Sequence, residues 1–139
     1  MTNLYSSVVS YHTNPYTCGV ARFNQALAKE MTIPLCSVSK FVPSSESISL
    51  LSIKFEEMST KSAEDMWAQL DQVDAKFDLF LHGVTQSKIE NQYINRARRV
   101  IVATREYAEI VRAQRPDVLS YFAPGAVDSI KKTNVDITL

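Results

Sequence analysis

Short apolar runs that favour β-strands alternate along this chain with stretches in which apolar residues recur three or four positions apart. The pattern predicts six strands, near residues 7–11, 35–38, 50–55, 77–81, 100–103 and 118–122. It predicts four helices, over 20–31, from a Ser62 cap to residue 73, over 87–97, and from a Thr104 cap to just before Pro116. Because strands that alternate with helices form parallel sheets covered on both faces, we expect an α/β fold. Right-handed crossovers then make it a single Rossmann-like, doubly wound, mostly parallel sheet with helices on both faces.

The connection between the second and third predicted strands is the least regular part of the pattern. Residues 40–47 contain Pro43 and three serines, which favours a loop. A parallel crossover needs about a dozen residues or more, and the gap after Val38 barely supplies them. A hairpin-like or irregular connection is therefore as well supported as a helix.

The charge balance limits the classes of partner. The 139 residues suit one domain, and 15 basic residues offset 15 acidic ones. No net field attracts nucleic acid, and no apolar run approaches the roughly 18 residues of a membrane span. Cys18 and Cys36 are expected to be reduced thiols, since the sequence opens with no export signal. We expect no nucleic-acid partner, no membrane span and a location in the cytoplasm or at the membrane periphery.

In a doubly wound sheet, ligands bind beyond the carboxyl ends of the strands, at the point where the winding reverses. Residues 12–19 follow the first strand and lead into the first helix, whose N-terminus is a potential anion site. Asn14 and Pro15 are expected to fix a turn. We expect His12 and Asn14 to contact substrate and Gly19 to let the backbone approach a phosphate closely. Gly19 as a tight strand-to-helix turn explains the same residues equally well.

Two more segments lie at predicted carboxyl ends. His82 follows the fourth strand and is the candidate catalytic residue, although a structural hydrogen bond is the alternative role. If the strand order reverses between the first and fourth strands, His12 and His82 come close together. Thr104 is most simply a helix cap. Arg105 either lies in solvent or forms a bidentate hydrogen bond with a phosphate or carboxylate. Zinc ligation by His12, His82 and Cys18 lacks a ligand spacing, so we expect no metal.

Several catalytic motifs are missing from the sequence. It contains no Gly-x-Ser-x-Gly, Cys-x-x-Cys or His-Glu-x-x-His segment and no Asp-x-Asp pair. Asp71, Asp74 and Asp78 are interpreted as a solvated helix face and its exit. The basic group at residues 96–99 is interpreted as flanking a buried strand rather than as a nucleic-acid footprint.

Four strings span most of the chain: residues 18–31 (Cys-Gly-Val-Ala-Arg-Phe onward), 77–83 (Phe-Asp-Leu-Phe-Leu-His-Gly), 99–104 (Arg-Val-Ile-Val-Ala-Thr) and 121–128 (Tyr-Phe-Ala-Pro-Gly-Ala-Val-Asp). The first resembles the Gly-Gly-Ile/Val-Ala-Arg segment of GT-B glycosyltransferases of the family 4 type. The next two are similar to that family's Asp-Val-Val-His-x-His and Arg-Val-Ile-Val-x-Ser segments. The last resembles the Ile-Pro-Asn-Gly-Val-Asp that leads into its second domain. Cys18 stands where the family has its first Gly, and Gly83 where it has its second His.

The resemblance implies that residues 1–139 are the Rossmann-like N-terminal half of a two-domain transferase. This half would hold a carbohydrate or lipid-linked acceptor, and a second domain, in cis or in trans, would hold the nucleotide-sugar donor. By position, Gly19 would approach the donor diphosphate and His82 would lie near the reacting sugar. Thr104 and Arg105 would line the acceptor side.

The resemblance implies sugar transfer from a nucleotide-sugar co-substrate to a hydroxyl acceptor, without metal or another cofactor and with retention of configuration, although the residues themselves do not distinguish retention from inversion. Such transfer needs charge stabilisation on the leaving diphosphate and shelter from water. One helix N-terminus and one histidine supply only part of these, so we expect the 139-residue chain to be inactive alone. The alternative is a non-catalytic Rossmann-like binding or interaction domain.

Overall fold

A computed structural model describes residues 4–14, 16, 18–117, 119 and 120. Its six strands form one sheet in the order β2-β1-β3-β4-β5-β6, and every neighbouring pair is parallel. The strands are β1 (Tyr5–Ser10), β2 (Leu35–Ser37), β3 (Ile48–Ile53), β4 (Lys76–Leu81), β5 (Val100–Val102) and β6 (Leu119–Ser120). The helices are α1 (Gly19–Met31), α2 (Thr60–Gln72), α3 (Lys88–Arg96) and α4 (Arg105–Arg112).

Helices cover both faces of the sheet, which confirms the predicted doubly wound α/β fold. Along each central strand, successive apolar side chains point to opposite faces. Val8 and Leu50 pack with Leu27 of α1 on one face. Val9 and Leu51, the next residue on each strand, belong to the core formed with α2, α3 and α4. The chain winds one way through α1 and the other way through the remaining helices, as right-handed crossovers require.

The winding reverses between β1 and β3, because β3 pairs with both β1 and β4. Strand β3 therefore lies between the first and fourth strands, at whose reversal His12 and His82 would come close together. The connection from β2 to β3 contains a 3₁₀ turn at Val38–Lys40 and then a loop, with no α-helix. The irregular connection is thus the correct one of the two alternatives. The β1–β3 boundary is the place where a ligand site is expected.

Helix boundaries follow the sequence pattern with one correction. Helix α2 is capped by Ser59, whose hydroxyl accepts a hydrogen bond from the Ser62 N–H, so the predicted Ser62 cap was wrong. Ser87 and Thr104 cap α3 and α4 in the same way. The last strand was predicted over residues 118–122, of which Leu119 and Ser120 are described and form β6. Residues 121–128, the fourth family-like string, lie outside the described residues. In the described part of the chain, no helix is long and apolar enough to cross a membrane.

A buried ionic cluster, here called the amino-end cluster, joins Tyr5, Asp78 and Arg98. Asp78 has no exposed surface; its carboxylate accepts hydrogen bonds from Tyr5 Oη at 2.5 Å and from Arg98 Nε and Nη2 at 3.0 and 2.8 Å. Burial and the Asp78 charge raise the pKa of Tyr5. The interpretation of Asp78 as a solvated residue was wrong, because its side chain points to the face of β4 that α1 covers. The cluster ties β1 to β4 across β3.

Candidate functional site

A second buried polar cluster lies at the other end of the same sheet face. It consists of Ser10 at the end of β1, Ser52 near the end of β3, His82 just after β4, and Asn24 of α1. We call it the carboxyl-end cluster. Ser10, Ser52 and Asn24 have no exposed surface. Because a buried polar group without a partner costs about 1–3 kcal/mol, each of these side chains needs a hydrogen bond inside the protein.

Hydrogen bonds connect the four residues in a single chain. Asn24 Nδ2 donates to Ser10 Oγ at 2.9 Å and to the Ser52 carbonyl oxygen at 3.0 Å. Ser52 Oγ donates to Asn24 Oδ1 at 2.5 Å and lies 2.7 Å from His82 Nε2. Ser10 Oγ donates to the backbone oxygen of His12 at 2.6 Å. The cluster therefore fixes side chains from three neighbouring strand ends around one helix.

Two aromatic rings hold the His82 imidazole in place. Phe23 of α1 contacts it edge-on with ring centroids 5.0 Å apart, and Phe80 lies at 4.6 Å. Burial among these groups, with a smaller contribution from the charge of Lys54, lowers the pKa of His82 to about 4. The ring is therefore neutral near pH 7. It can accept or donate a hydrogen bond there, but it carries no charge with which to bind an anion.

The loop after His82 is held by a buried carboxylate. Glu90 of α3 is fully buried and accepts hydrogen bonds from the backbone N–H groups of Thr85 and Gln86 and from the Thr85 hydroxyl, at 2.9 to 3.1 Å. Gln86 has a positive φ of 60°, a conformation that a side chain disfavours. The bonds to Glu90 offset that strain and anchor the loop to α3.

Beside the carboxyl-end cluster, the N-terminus of α1 opens into a cavity of about 250 Å³ lined by His12, Cys18, Gly19 and Glu57. Helix α1 has no acidic residue in its first turn, so its own sequence leaves the partial positive charge of the N-terminus uncompensated. A Cβ at Gly19 would meet no atom within 4 Å, so the fold does not require glycine there. Glu57, also paired with Lys54 at 3.7 Å, adds a negative charge to this cavity. Its walls therefore offer donors and acceptors together.

A larger polar cavity of about 540 Å³ lies on the other side of His12. Its lining includes Tyr11, Ser39, Asp65 and Gln69. Hydrogen bonds from Ser59, and then from Ser62, lower the pKa of the Tyr11 hydroxyl. Hydroxyl, carboxylate and amide groups of this kind match the hydroxyl groups of a polyol or sugar. His12 lines both cavities and stands between them.

The structure brings together only some of the residues predicted from sequence. His12 and Gly19 share the smaller cavity, and the hydrogen-bonded cluster reaches His12 at its backbone oxygen and His82 at its ring. Asn14 is exposed, and its side chain accepts a hydrogen bond from the Tyr16 N–H; Pro15, predicted to share this turn, lies outside the described residues.

Thr104 and Arg105 lie further along the sheet edge. The Thr104 hydroxyl accepts from the Tyr107 N–H as a helix cap, and Arg105 is exposed. Both follow β5, which pairs directly with β4, the strand that His82 follows, and which is three strand spacings, roughly 14 Å, from β1. The structure therefore places them one strand beyond His82, and neither residue lines the two cavities that contain His12.

Sequence reasoning missed three members of the carboxyl-end cluster: Ser10, Asn24 and Ser52. Each was visible as a polar residue at an inward position. Asn24 falls on the apolar stripe of α1, one residue after Phe23 and three before Leu27. Ser52 interrupts a run of apolar residues on β3. Polar residues at buried positions need partners, and that need is the signal that could have found them.

Among the described residues, no group of three or more histidine, cysteine, aspartate or glutamate side chains could hold a metal ion. Comparison of the chain with protein-family models, with curated proteins and with solved structures found no match. The function is therefore inferred from the resemblance of the four strings and from the geometry at the carboxyl ends of the strands.

Proposed function

We propose that this chain is the acceptor-binding half of a GT-B-type glycosyltransferase. It would act in the transfer of a sugar from a nucleotide-sugar donor to a hydroxyl acceptor, and a donor-binding domain, in cis or in trans, would complete it. The observation that carries this proposal is the neutral His82 ring, fixed at the carboxyl edge of the sheet by hydrogen bonds to the elements around the β1–β3 reversal.

The positions of the family-like strings support the proposal. Residues 18–31 form α1 with the residue before it, residues 77–83 form most of β4 and the turn with His82, and residues 99–104 lead through β5 to the Thr104 cap. Each of these three strings therefore includes a junction at the carboxyl edge, where doubly wound folds bind ligands. These junctions are the part of the similarity that supports a shared binding site.

The chemistry of the two cavities supports the assignment of this half to the acceptor. The larger cavity presents hydroxyl, amide and carboxylate groups, which suit a carbohydrate acceptor or the sugar of a lipid-linked one. The α1 N-terminus offers an attractive field for the donor diphosphate. Both cavities are open to solvent on this chain, so water is not excluded from them. We therefore expect no turnover of a nucleotide sugar by the chain alone.

One observation favours the alternative, a non-catalytic Rossmann-like binding domain. Glu57 lines the cavity at the α1 N-terminus, and its carboxylate opposes the approach of a diphosphate. A domain that binds a neutral polar ligand would have no conflict with this carboxylate. The two functions thus differ in whether a nucleotide sugar binds next to Gly19.

The test is a titration of the isotope-labelled full chain, followed by its amide resonances. Two probes are used: methyl α-D-glucopyranoside for the acceptor and UDP-glucose for the donor. The proposal predicts that the glucoside shifts resonances around Tyr11, His12 and His82, and that UDP-glucose shifts those of Cys18 and Gly19. Shifts from the glucoside alone would favour the binding domain. Shifts from neither probe, or turnover of UDP-glucose by the chain alone, would contradict the proposal.

A further inference from the structure

The carboxyl-end cluster has a fixed direction of hydrogen bonding, and Asn24 sets it. One side-chain atom of Asn24 lies 3.0 Å from the backbone oxygen of Ser52. A carbonyl oxygen can only accept, so this atom must be the amide nitrogen. The other side-chain atom is then the amide oxygen, which can only accept a hydrogen bond.

The direction continues through Ser52. Its hydroxyl lies 2.5 Å from the Asn24 oxygen, and because that oxygen cannot donate, the single hydroxyl hydrogen of Ser52 must point to it. Ser52 Oγ then has only lone pairs left for His82 Nε2, which is 2.7 Å away. The imidazole must therefore donate through Nε2.

This direction decides the state of the other ring nitrogen. A neutral imidazole carries one N–H, so a ring that donates through Nε2 has an unprotonated Nδ1. Among the described residues, the imidazole makes one hydrogen bond, through Nε2 to Ser52. Nδ1 is not one of the fully buried polar atoms that lack a hydrogen-bond partner, so it keeps some exposed surface. Nδ1 is thus an acceptor that solvent or a ligand can reach. Burial beside Phe23 and Phe80 lowers the ring's pKa and keeps it in this neutral state.

We propose that Asn24 and Ser52 are positioning residues that hold His82 as the Nε2–H tautomer, so that Nδ1 accepts a hydrogen bond from a ligand hydroxyl. A hydroxyl can donate to Nδ1, whereas a fully ionised phosphate cannot. His82 thereby selects for the sugar part of a ligand and against a diphosphate. The tautomer does not depend on the proposed function, but the identification of the ligand as a sugar rests on it.

The tautomer can be read directly from long-range proton–nitrogen correlation spectra of the full chain. The sequence has two histidines, so His82→Gln assigns both rings and the exposed His12 is an internal comparison. We expect the His82 spectrum between pH 6 and 8 to show a protonated Nε2 and an unprotonated Nδ1. A protonated Nδ1, or rapid exchange between both forms, would overturn the proposal without any variant having to fold.

Three variants of β3 test the positioning role. Ser52→Ala removes the acceptor for Nε2–H and should abolish the preference for one tautomer. Ser52→Thr keeps a hydroxyl and should restore it. Ser49→Ala, a buried serine at the start of the same strand, is the matched control and should leave the tautomer unchanged. An unaltered tautomer in folded Ser52→Ala would remove Ser52 from the positioning role.

Two ligand probes separate this inference from the proposed function. Methyl α-D-glucopyranoside should shift the Nδ1 resonance, and P1,P2-dimethyl diphosphate, a diester that is fully ionised between pH 6 and 8, should leave it in place. Loss of the ring in His82→Ala should weaken glucoside binding about two- to tenfold, as expected for one hydrogen bond. A shift caused by the diphosphate diester would contradict selection for a hydroxyl. If the tautomer is as expected and the glucoside does not bind, the proposed function fails and the tautomer assignment stands.

Discussion

Two buried polar clusters lie on the same face of the sheet, and both connect β1 to β4 across β3. The amino-end cluster of Tyr5, Asp78 and Arg98 is ionic, and its carboxylate is surrounded by three donors from the protein. The carboxyl-end cluster is neutral and ends at His82, whose second ring nitrogen remains available to solvent. In the first cluster, the Asp78 carboxylate receives its hydrogen bonds from Tyr5 and Arg98 within the protein. In the second cluster, Nδ1 of His82 is left as an acceptor for solvent or a ligand.

The difference shows that buried polar residues serve different purposes at the two ends of a parallel sheet. At the amino ends of the strands no ligand site is expected, and charges there hold the strands together. At the carboxyl ends, neutral groups fix the His82 ring through Nε2 and leave its Nδ1 as an acceptor. We therefore expect changes in the first cluster to alter mainly stability, and changes in the second to alter mainly binding and pH dependence.

The largest effect is expected from Arg98→Met. It would leave the buried Asp78 carboxylate with Tyr5 as its remaining side-chain donor, at a cost of about 3–5 kcal/mol in the free energy of unfolding. Arg99→Met, at the next position, is the matched control and should cost less than about 1 kcal/mol. Urea unfolding of both variants measures the difference. Equal losses would contradict a specific contribution of the Arg98–Asp78 pair to stability.

The next effect is a pH dependence that belongs to the carboxyl-end cluster. The unfolded chain binds a proton at His82 near the ordinary pKa of 6.5, whereas the folded chain binds it near pH 4. Between these values the unfolded state binds more protons, so stability rises with pH. We expect about 3 kcal/mol to be lost as the pH falls from 6.5 to 4.

His82→Gln isolates this contribution, because other groups that titrate in the same range remain in the variant. The difference between the wild-type and His82→Gln unfolding free energies should vary across the window and level off outside it. His12→Gln, with its exposed ring, is the control and should retain the wild-type pH profile. An unchanged profile in His82→Gln would show that the ring is not held neutral by burial.

A smaller effect is expected from Glu90→Gln, which weakens the hold on the loop after His82. The amide has one acceptor oxygen where the carboxylate has two, so at least one donor of Thr85 or Gln86 loses its partner. The cost should be about 1–3 kcal/mol, visible as faster amide exchange in residues 83–87. Glu106→Gln, in the first turn of α4, should leave exchange in that loop unchanged. Equal exchange in both variants would contradict the proposed role of Glu90.

The smallest effect concerns the cavity at the α1 N-terminus. Glu57→Gln removes the carboxylate that opposes a diphosphate and should tighten UDP-glucose binding about two- to fivefold. Glu56→Gln is a close match, because Glu56 also pairs with Lys54, at 3.0 Å, but does not line the cavity. Calorimetric titration of both variants compares them. Equal affinities would separate Glu57 from the binding site.

The alternation of strands and helices was predictable because it depends on local periodicity. The buried clusters were not, because their partners are far apart in sequence: Tyr5 and Asp78 are separated by 73 positions. Asp78 was interpreted together with Asp71 and Asp74 as a solvated helix face and its exit, and periodicity alone did not show that it is buried in β4. His82 could be selected by its place after a strand. Its partners Ser52 and Asn24 required the register of β3 and the position of α1, which sequence periodicity does not supply.

The claim that the two clusters have separate roles is tested most directly by one affinity measurement on two variants. Tyr5→Phe removes one hydrogen bond from the amino-end cluster, and His82→Gln changes the acceptor of the carboxyl-end cluster. Binding of methyl α-D-glucopyranoside to the folded chain should be unchanged in Tyr5→Phe and weakened in His82→Gln. Equal affinities in the two variants, or a loss confined to Tyr5→Phe, would contradict the account.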